Sequence, residues 1–188
     1  LFRSSAASDV YKRQVIILRD YKTMYNIIYM KRDNLDNIDV KILKTLQENG
    51  RVTNVELAEK VDLSAPPCLR RVRSLEDKGF IKGYHADLSA EKLGFQVTVF
   101  AMVGLHNQAE ADLKAFEDRV NSLEYVRECH MLNGEIDFIL KCVAPDLSAF
   151  QIFLTQELTS APNVASVKTS LTIRQSKYSP GIPIKSTN

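Results

Sequence analysis

The chain has 188 residues, enough for one or two domains. At 45% hydrophobic and 26% charged it is ordinary for a globular protein, and no apolar run nears the ~20 residues of a membrane span, so no membrane partner is expected. The net charge of +2 is unevenly spread: residues 1–34 carry 7 Lys/Arg against 3 Asp/Glu, residues 35–89 carry 9 of each, and residues 90–188 carry 9 against 11, so a polyanionic partner must be met by a local patch.

The opening LFRSSAASDVYKRQ has no apolar periodicity and no cap. Its SSAASDVYKRQ resembles translated sequencing-adapter read-through. Residues 15–29 are partly apolar, but Arg19, Asp20 and Lys22 interrupt them and no small-residue cleavage site follows, unlike a signal peptide. Residues 1–29 are expected to be a non-native or disordered extension, with Met30 the preferred start and Met24 the next choice. The competing reading is a basic arm that touches a polyanionic partner.

Residues 30–82 form the first predicted domain. Leu35, Ile38, Ile42, Leu43 and Leu46 recur at helical spacing, and Asn49-Gly50 stops that helix. Asn54 is the expected N-cap of a short helix bearing Leu57, Ala58 and Val61. Asp62-Leu63 make a turn. Ser64 is expected to cap a third helix that runs to about Lys78 and ends at Gly79.

On that third helix Cys68, Val72 and Leu75 fall within about 60° of one another and face the core. Pro66, Arg70, Arg73 and Asp77 lie opposite, with Leu69 and Arg71 on the flanks. Residues 64–82 hold five cations, Arg70, Arg71, Arg73, Lys78 and Lys82, against Glu76 and Asp77. Phe80-Ile81-Lys82-Gly83-Tyr84 reads as a hairpin-like wing. Three helices, a tight turn and a wing are the plan of a winged helix-turn-helix, and double-stranded DNA is the expected partner.

The expected DNA-binding residues are Ser64, Pro66, Pro67, Leu69, Arg70, Arg71 and Arg73. Arg70 and Arg73 are placed to enter a groove; Arg71 lies at the edge, facing either a phosphate or an internal carboxylate. Pro66 and Pro67 are tolerated in a helix's first turn but remove two N–H donors that would grip a phosphate. This helix end is therefore expected to supply shape and apolar contact.

After a linker over residues 83–93, residues 94–176 read β-α-β-β-α-β. Strands are expected over residues 95–105, about 125–132 and 138–143, and a fourth places Val167, Thr169, Leu171 and Ile173 on one face. Lys168, Ser170, Thr172 and Arg174 take its other face. The helices carry Leu113, Phe116, Val120 and Leu123, then Leu147, Phe150, Leu154 and Leu158. Asn133-Gly134 is a hairpin turn signal. Residues 177–188 are a tail. The fold class is α+β: an N-terminal winged helix-turn-helix and a C-terminal ferredoxin-like βαββαβ domain. The first strand is apolar on both faces, so the sheet needs a second cover, and self-association supplies it.

Cys68, Cys129 and Cys142 show no CxxC spacing, which argues against a disulfide framework or zinc knuckle and fits a reducing cytosol. His85, His106 and His130 show no HxxxH spacing, and no phosphate loop or nucleophile motif is present. Neither an enzyme nor a cofactor nor a metal is expected. Asp137, just past Asn133-Gly134, has two readings: a solvated hairpin carboxylate, or an acceptor for an amino acid's ammonium group.

DNIDVKILKTLQENGRVTNVELAEKVDLSAPPCLRRVRSLEDKGFIKGY, followed by ECHMLNGEIDFILK and APDLSAF, closely resembles the leucine-responsive regulatory protein/AsnC family, the feast-famine regulators. The resemblance covers roughly residues 35–174, and SAPPCLRRVRSLE resembles the leucine-responsive branch. It implies a cytoplasmic, nucleoid-associated bacterial transcription regulator that forms homodimers and octamers as tetramers of dimers, with a small amino-acid effector bound between dimers. The family's G-x-x-D effector motif falls on Gly134 and Asp137. Leu132, Leu147, Thr169, Ser170, Leu171 and Thr172 are expected to line the same cleft. Strand four departs from the leucine-responsive pattern: Ser170-Leu171-Thr172 stand where that type has an aromatic and then apolar residues. With Glu135 adding a second carboxylate near Asp137, this points away from leucine. The alternative function is an architectural DNA-bending protein without a working effector site; a third reading makes the helix-turn-helix a dimerisation element on an enzyme or sensor domain.

Overall fold

The structure is a computed structural model that describes residues 35–184. The expected extension over residues 1–29 and the start at Met30 lie outside the described residues. The described residues divide into two compact units, residues 35–87 with 178–184, and residues 88–177.

In the first unit, α1 spans Asn37–Glu48. Asp36 caps it: its Oδ1 accepts the Asp39 N–H at 2.8 Å, and Asp39 Oδ2 accepts the Asp36 N–H at 3.3 Å. This reciprocal box satisfies two donors that a helix start leaves open. α2 spans Asn54–Lys60, and its cap is Thr53, not the expected Asn54. Thr53 and Glu56 form a Thr-x-x-Glu box, with the Thr53 N–H donating to Glu56 Oε2 at 2.8 Å. Asn54 does another job: its side-chain amide donates to the Ala65 carbonyl at 2.8 Å and ties the start of α2 to the start of the next helix.

The turn after α2 closes with Asp62 at φ 58°, the Asp62 N–H on the Glu59 carbonyl and the Leu63 N–H on the Ala58 carbonyl. This is a Schellman stop with aspartate in the left-handed position that glycine usually holds. α3 follows over Ala65–Asp77 and ends the same way, with Gly79 at φ 74° and the Phe80 N–H on the Leu75 carbonyl at 2.9 Å. Ile42, Leu57, Ala58, Val61, Cys68, Val72 and Leu75 form the core of this unit.

The expected wing is not a hairpin. No strand is assigned over residues 81–89; Ile81 packs on the core, and the Tyr84 hydroxyl donates to Glu76 Oε1 at 2.9 Å. Burial and then that bond push the Tyr84 phenol up to about 12, so it stays a neutral donor. The tail belongs to this unit too. The Gln47 side-chain amide donates to the Ile182 carbonyl at 2.9 Å and accepts the Ile182 N–H at 3.0 Å.

The second unit is a four-stranded antiparallel sheet with helices on one face. Its elements are β1 (Val97–Leu105), α4 (Glu110–Asn121), β2 (Val126–Met131), β3 (Phe138–Ala144), α5 (Leu147–Phe153) and β4 (Val164–Leu171). The strand order is β2-β3-β1-β4, the ferredoxin-like arrangement. Val99, Ala101 and Val103 of β1 and Phe138, Leu140 and Cys142 of β3 point at Phe116, Val120, Phe150 and Phe153 of the helices. Phe116 and Phe138 stack with ring centroids 4.7 Å apart.

Two expectations change here. Asn133-Gly134 does not make a two-residue turn: β2 and β3 are joined by residues 132–137, Gly134 lies outside the left-handed region, and the Leu132 N–H reaches the Asp137 carbonyl at 2.8 Å. The second helix is not one regular α-helix. α5 stops at Phe153 and a π turn, Leu154–Leu158, follows. The wider turn sets the buried Phe153 and Leu158 five positions apart, and Leu147, at the helix start, is exposed.

The other face of the sheet carries Phe100, Met102, Ile139 and Val143, by the register Phe100↔Lys141 and Met102↔Ile139. No helix of this unit lies over it. Phe100 is exposed, and Met102, Ile139 and Val143 are half-buried.

Candidate functional site

α3 presents two different faces. Cys68, Val72 and Leu75 are buried, while Leu69, Arg70 and Arg73 are exposed. Neither Arg70 nor Arg73 has an ion pair or hydrogen bond among the described residues. A guanidinium that the fold does not use keeps all five donors for a ligand.

The start of α3 explains what Ser64 does. Ser64 sits at the N-cap with extended backbone, yet its side chain makes no capping bond. A capping hydroxyl accepts from the N–H of the second or third helical residue. Those residues are Pro66 and Pro67, which have no N–H. The Ser64 hydroxyl is thus exposed and unused, and the expected cap is one of position only. The helix is held here instead by Asn54, whose own carbonyl oxygen is buried without a partner.

Arg71 resolves in favour of the internal carboxylate. One nitrogen, Nη1, donates to Asp36 Oδ2 and to Asp39 Oδ1, both at 2.7 Å. The hydrogen bonds it donates to Asp39 and then Asp36 hold the guanidinium's pKa above its usual value. The Asp36 carboxyl is held below its ordinary value, chiefly by the Asp39 N–H; desolvation opposes this, and Arg71 lowers it further.

In the second unit Asp137 is buried. Its Oδ2 accepts the Leu105 N–H at 2.7 Å and its Oδ1 accepts the Gln108 side-chain amide at 2.8 Å. Its own N–H donates to the Val103 carbonyl at 3.0 Å. It is not a solvated hairpin residue: it ties the loop before β3 to the end of β1. Sequence reasoning missed Leu105 and Gln108, because only the β1–β3 register brings residues some thirty positions apart together.

The expected effector residues do not meet within one chain. Leu132, Gly134 and Asp137 lie at the end of the sheet where β3 begins. Leu147 follows the far end of β3, roughly 20 Å along the strands by their rise per residue. Leu171 pairs with Val99 and the Thr172 N–H donates to Thr98, also toward that far end. Thr169 and Leu171 share the helix side of the sheet, and Ser170 points to the open face beside Phe100. A cleft of about 270 Å³ is lined by Asp112, Ala115, Phe116, Arg119, Pro162 and Asn163, none of them an expected effector residue. Among the described residues no helix is long and apolar enough to cross a membrane, and no cluster of His, Cys, Asp or Glu is placed to hold a metal.

An exposed arginine helix behind a tight turn, joined to a ferredoxin-like unit, defines a DNA-binding regulator with a separate ligand-binding domain. Residues 35–82 match the model of a winged helix-turn-helix DNA-binding domain, and residues 98–182 match the Lrp/AsnC ligand binding domain. A leucine-responsive regulatory protein of Rhizobium meliloti is 57% identical over 146 residues, covering 78% of this chain and 94% of that one. The leucine-responsive regulatory protein of Escherichia coli K12 is 40% identical over 152 residues, covering 81% and 93%. A transcriptional regulator of Neisseria meningitidis, solved as a complex with L-Met, superposes with a TM-score of 0.76 at 38% identity, covering 80% of this chain and 97% of that one. The chain belongs to the Lrp/AsnC family of transcription regulators.

Proposed function

We propose that this protein reads double-stranded DNA with α3 and that a small amino acid tunes its assembly or its DNA affinity. The observation that carries the first part is the pair of exposed, unpartnered guanidiniums of Arg70 and Arg73 on a helix whose opposite side is buried. In a major groove, a bidentate arginine–guanine contact is worth about 1–3 kcal/mol of discrimination. The free Ser64 hydroxyl takes a phosphate, and Pro66, Pro67 and Leu69 supply apolar contact.

The effector reading rests on the family, and on the L-Met held by the Neisseria regulator. The family resemblance implies a cleft between dimers, lined by the expected residues of more than one copy. Both Asp137 oxygens have one donor each and retain lone pairs for an ammonium group. Ser170-Leu171-Thr172 and Glu135 favour a ligand more polar than leucine. The apolar open sheet face, with Phe100, Met102 and Ile139, supports a homodimer. The octamer, as a tetramer of dimers, rests on the family resemblance alone.

Effector control requires the ligand to prefer one assembly state over another. The test is a scan of all twenty amino acids by sedimentation velocity and DNA footprinting. A shift in mass or footprint with one class of amino acid is expected. No shift with any of them refutes the effector and leaves an architectural DNA-bending role.

A further inference from the structure

We propose that Arg71 is a positioning residue for DNA reading, a clamp that fixes the rotation of α3 by bridging two carboxylates on the first turn of α1. This rests on the reading of α3 as the DNA-contacting helix. Arg71 lies among the exposed arginines in sequence, and a basic residue there invites assignment as a phosphate contact. The geometry argues otherwise.

Both carboxylates that Arg71 meets are themselves locked. Asp36 uses Oδ1 for the Asp39 N–H and Oδ2 for Arg71; Asp39 uses Oδ2 for the Asp36 N–H and Oδ1 for Arg71. The two residues of the α1 capping box thus spend one oxygen each on their own helix and one on α3. The positive end of the α1 dipole favours both negative charges. Asp39 is the better shielded partner, its side chain 17% exposed against 49% for Asp36. A DNA phosphate would have to displace two charge-assisted bonds at 2.7 Å. It would also approach a group of three side chains with one positive and two negative charges.

The clamp matters because readout tolerates little error. Side chains stand about 5–6 Å from a helix axis, so a 20° rotation of α3 moves them by about 2 Å. A working contact must be held to about 0.5 Å and 10–20°. The apolar contacts of Cys68, Val72 and Leu75 set depth but are non-directional. Directional side-chain bonds reach α3 at three places: Asn54 holds the Ala65 carbonyl at its start, the Tyr84 hydroxyl holds Glu76 in its last turn, and Arg71 holds its middle, between Arg70 and Arg73 in sequence.

The experiment uses the full chain and two duplexes, one selected by the wild-type protein from a random pool and one scrambled. Binding is measured across a salt series for wild type, Arg71→Ala, the double variant Asp36→Asn/Asp39→Asn, Arg70→Ala and Arg73→Ala. Asparagine caps helices as well as aspartate and keeps an oxygen for the capping box, so the double variant folds even where Arg71→Ala does not. Arg71→Ala and the double variant change charge in opposite directions. A clamp predicts that both lower the ratio of selected to scrambled affinity, by roughly tenfold, the loss of one misaligned base contact. It also predicts that Arg71→Ala leaves the salt slope on the scrambled duplex unchanged.

The proposal is overturned if Arg71→Ala weakens both duplexes equally and flattens the slope by about 0.9, the mark of one lost phosphate contact. It is equally overturned if the double variant keeps full discrimination. If Arg70→Ala and Arg73→Ala both leave discrimination intact, the assignment of the DNA face itself has failed, and the clamp falls with it.

Discussion

Asp137 accepts the backbone N–H of Leu105 at 2.7 Å, a bond across 32 residues that joins the loop before β3 to the last residue of β1. A residue from the family's effector motif is therefore also part of the frame that holds the sheet end together.

Asp137→Ala is expected to destabilise the second unit by about 1–3 kcal/mol, because it leaves a buried N–H without an acceptor. Asp137→Asn keeps an acceptor and is expected to lose less. Urea unfolding of both variants checks this. Equal stability of Asp137→Ala and wild type would show that water or another carbonyl takes the bond. Ligand affinity must then be compared under conditions where each variant is fully folded.

Arg70→Ala and Arg73→Ala are each expected to weaken binding to a selected duplex by about 1–3 kcal/mol, with little change in folding stability. Both side chains are exposed and neither supports the fold through a bond. Fluorescence anisotropy with labelled duplex, beside thermal melts, separates the two effects.

Acid is expected to weaken the first unit. The Asp36 pKa is depressed by the Asp39 N–H and by Arg71. A depressed carboxylate contributes stability that is present above its unfolded pKa, about 4, and is lost as pH falls through the folded value. Glu56, depressed by the Thr53 N–H and hydroxyl, acts with the same sign. The raised Arg71 pKa lies beyond the working range and adds no pH dependence there. Unfolding curves from pH 7 to 3 should show the loss below about pH 4, and Asp36→Asn should make it shallower.

Gly181→Ala is expected to free the tail from α1. Gly181 has φ 87°, and a Cβ there would run into the Gln47 side chain. The left-handed conformation alone costs a non-glycine residue about 1–3 kcal/mol. Faster hydrogen exchange at the Ile182 amide, which donates to Gln47 at 3.0 Å, is the readout. Unchanged exchange would show that the tail is held by other contacts.

Much of the local order was legible from residue types. Leu35, Ile38 and Ile42 announced α1, and Gly79 announced the end of α3, because helical period and left-handed backbone are properties of short stretches. The Thr53 cap was equally legible, since Glu56 stands three residues on, but Asn54 drew the assignment as an equally good capping residue. The empty Ser64 cap was legible as well: two prolines remove the N–H groups it needs.

What the chain determined alone, then, was its period, its stops and the face of α3 that carries arginine. The partners of Arg71 and Asp137 were decided by the tertiary structure. Asp36 lies 35 residues from Arg71 and Leu105 lies 32 from Asp137. No local rule links positions so far apart; helix packing and strand register do. Three arginines of one helix look alike as letters, and they part company only where α1 places two carboxylates beside one of them and leaves the other two in solvent.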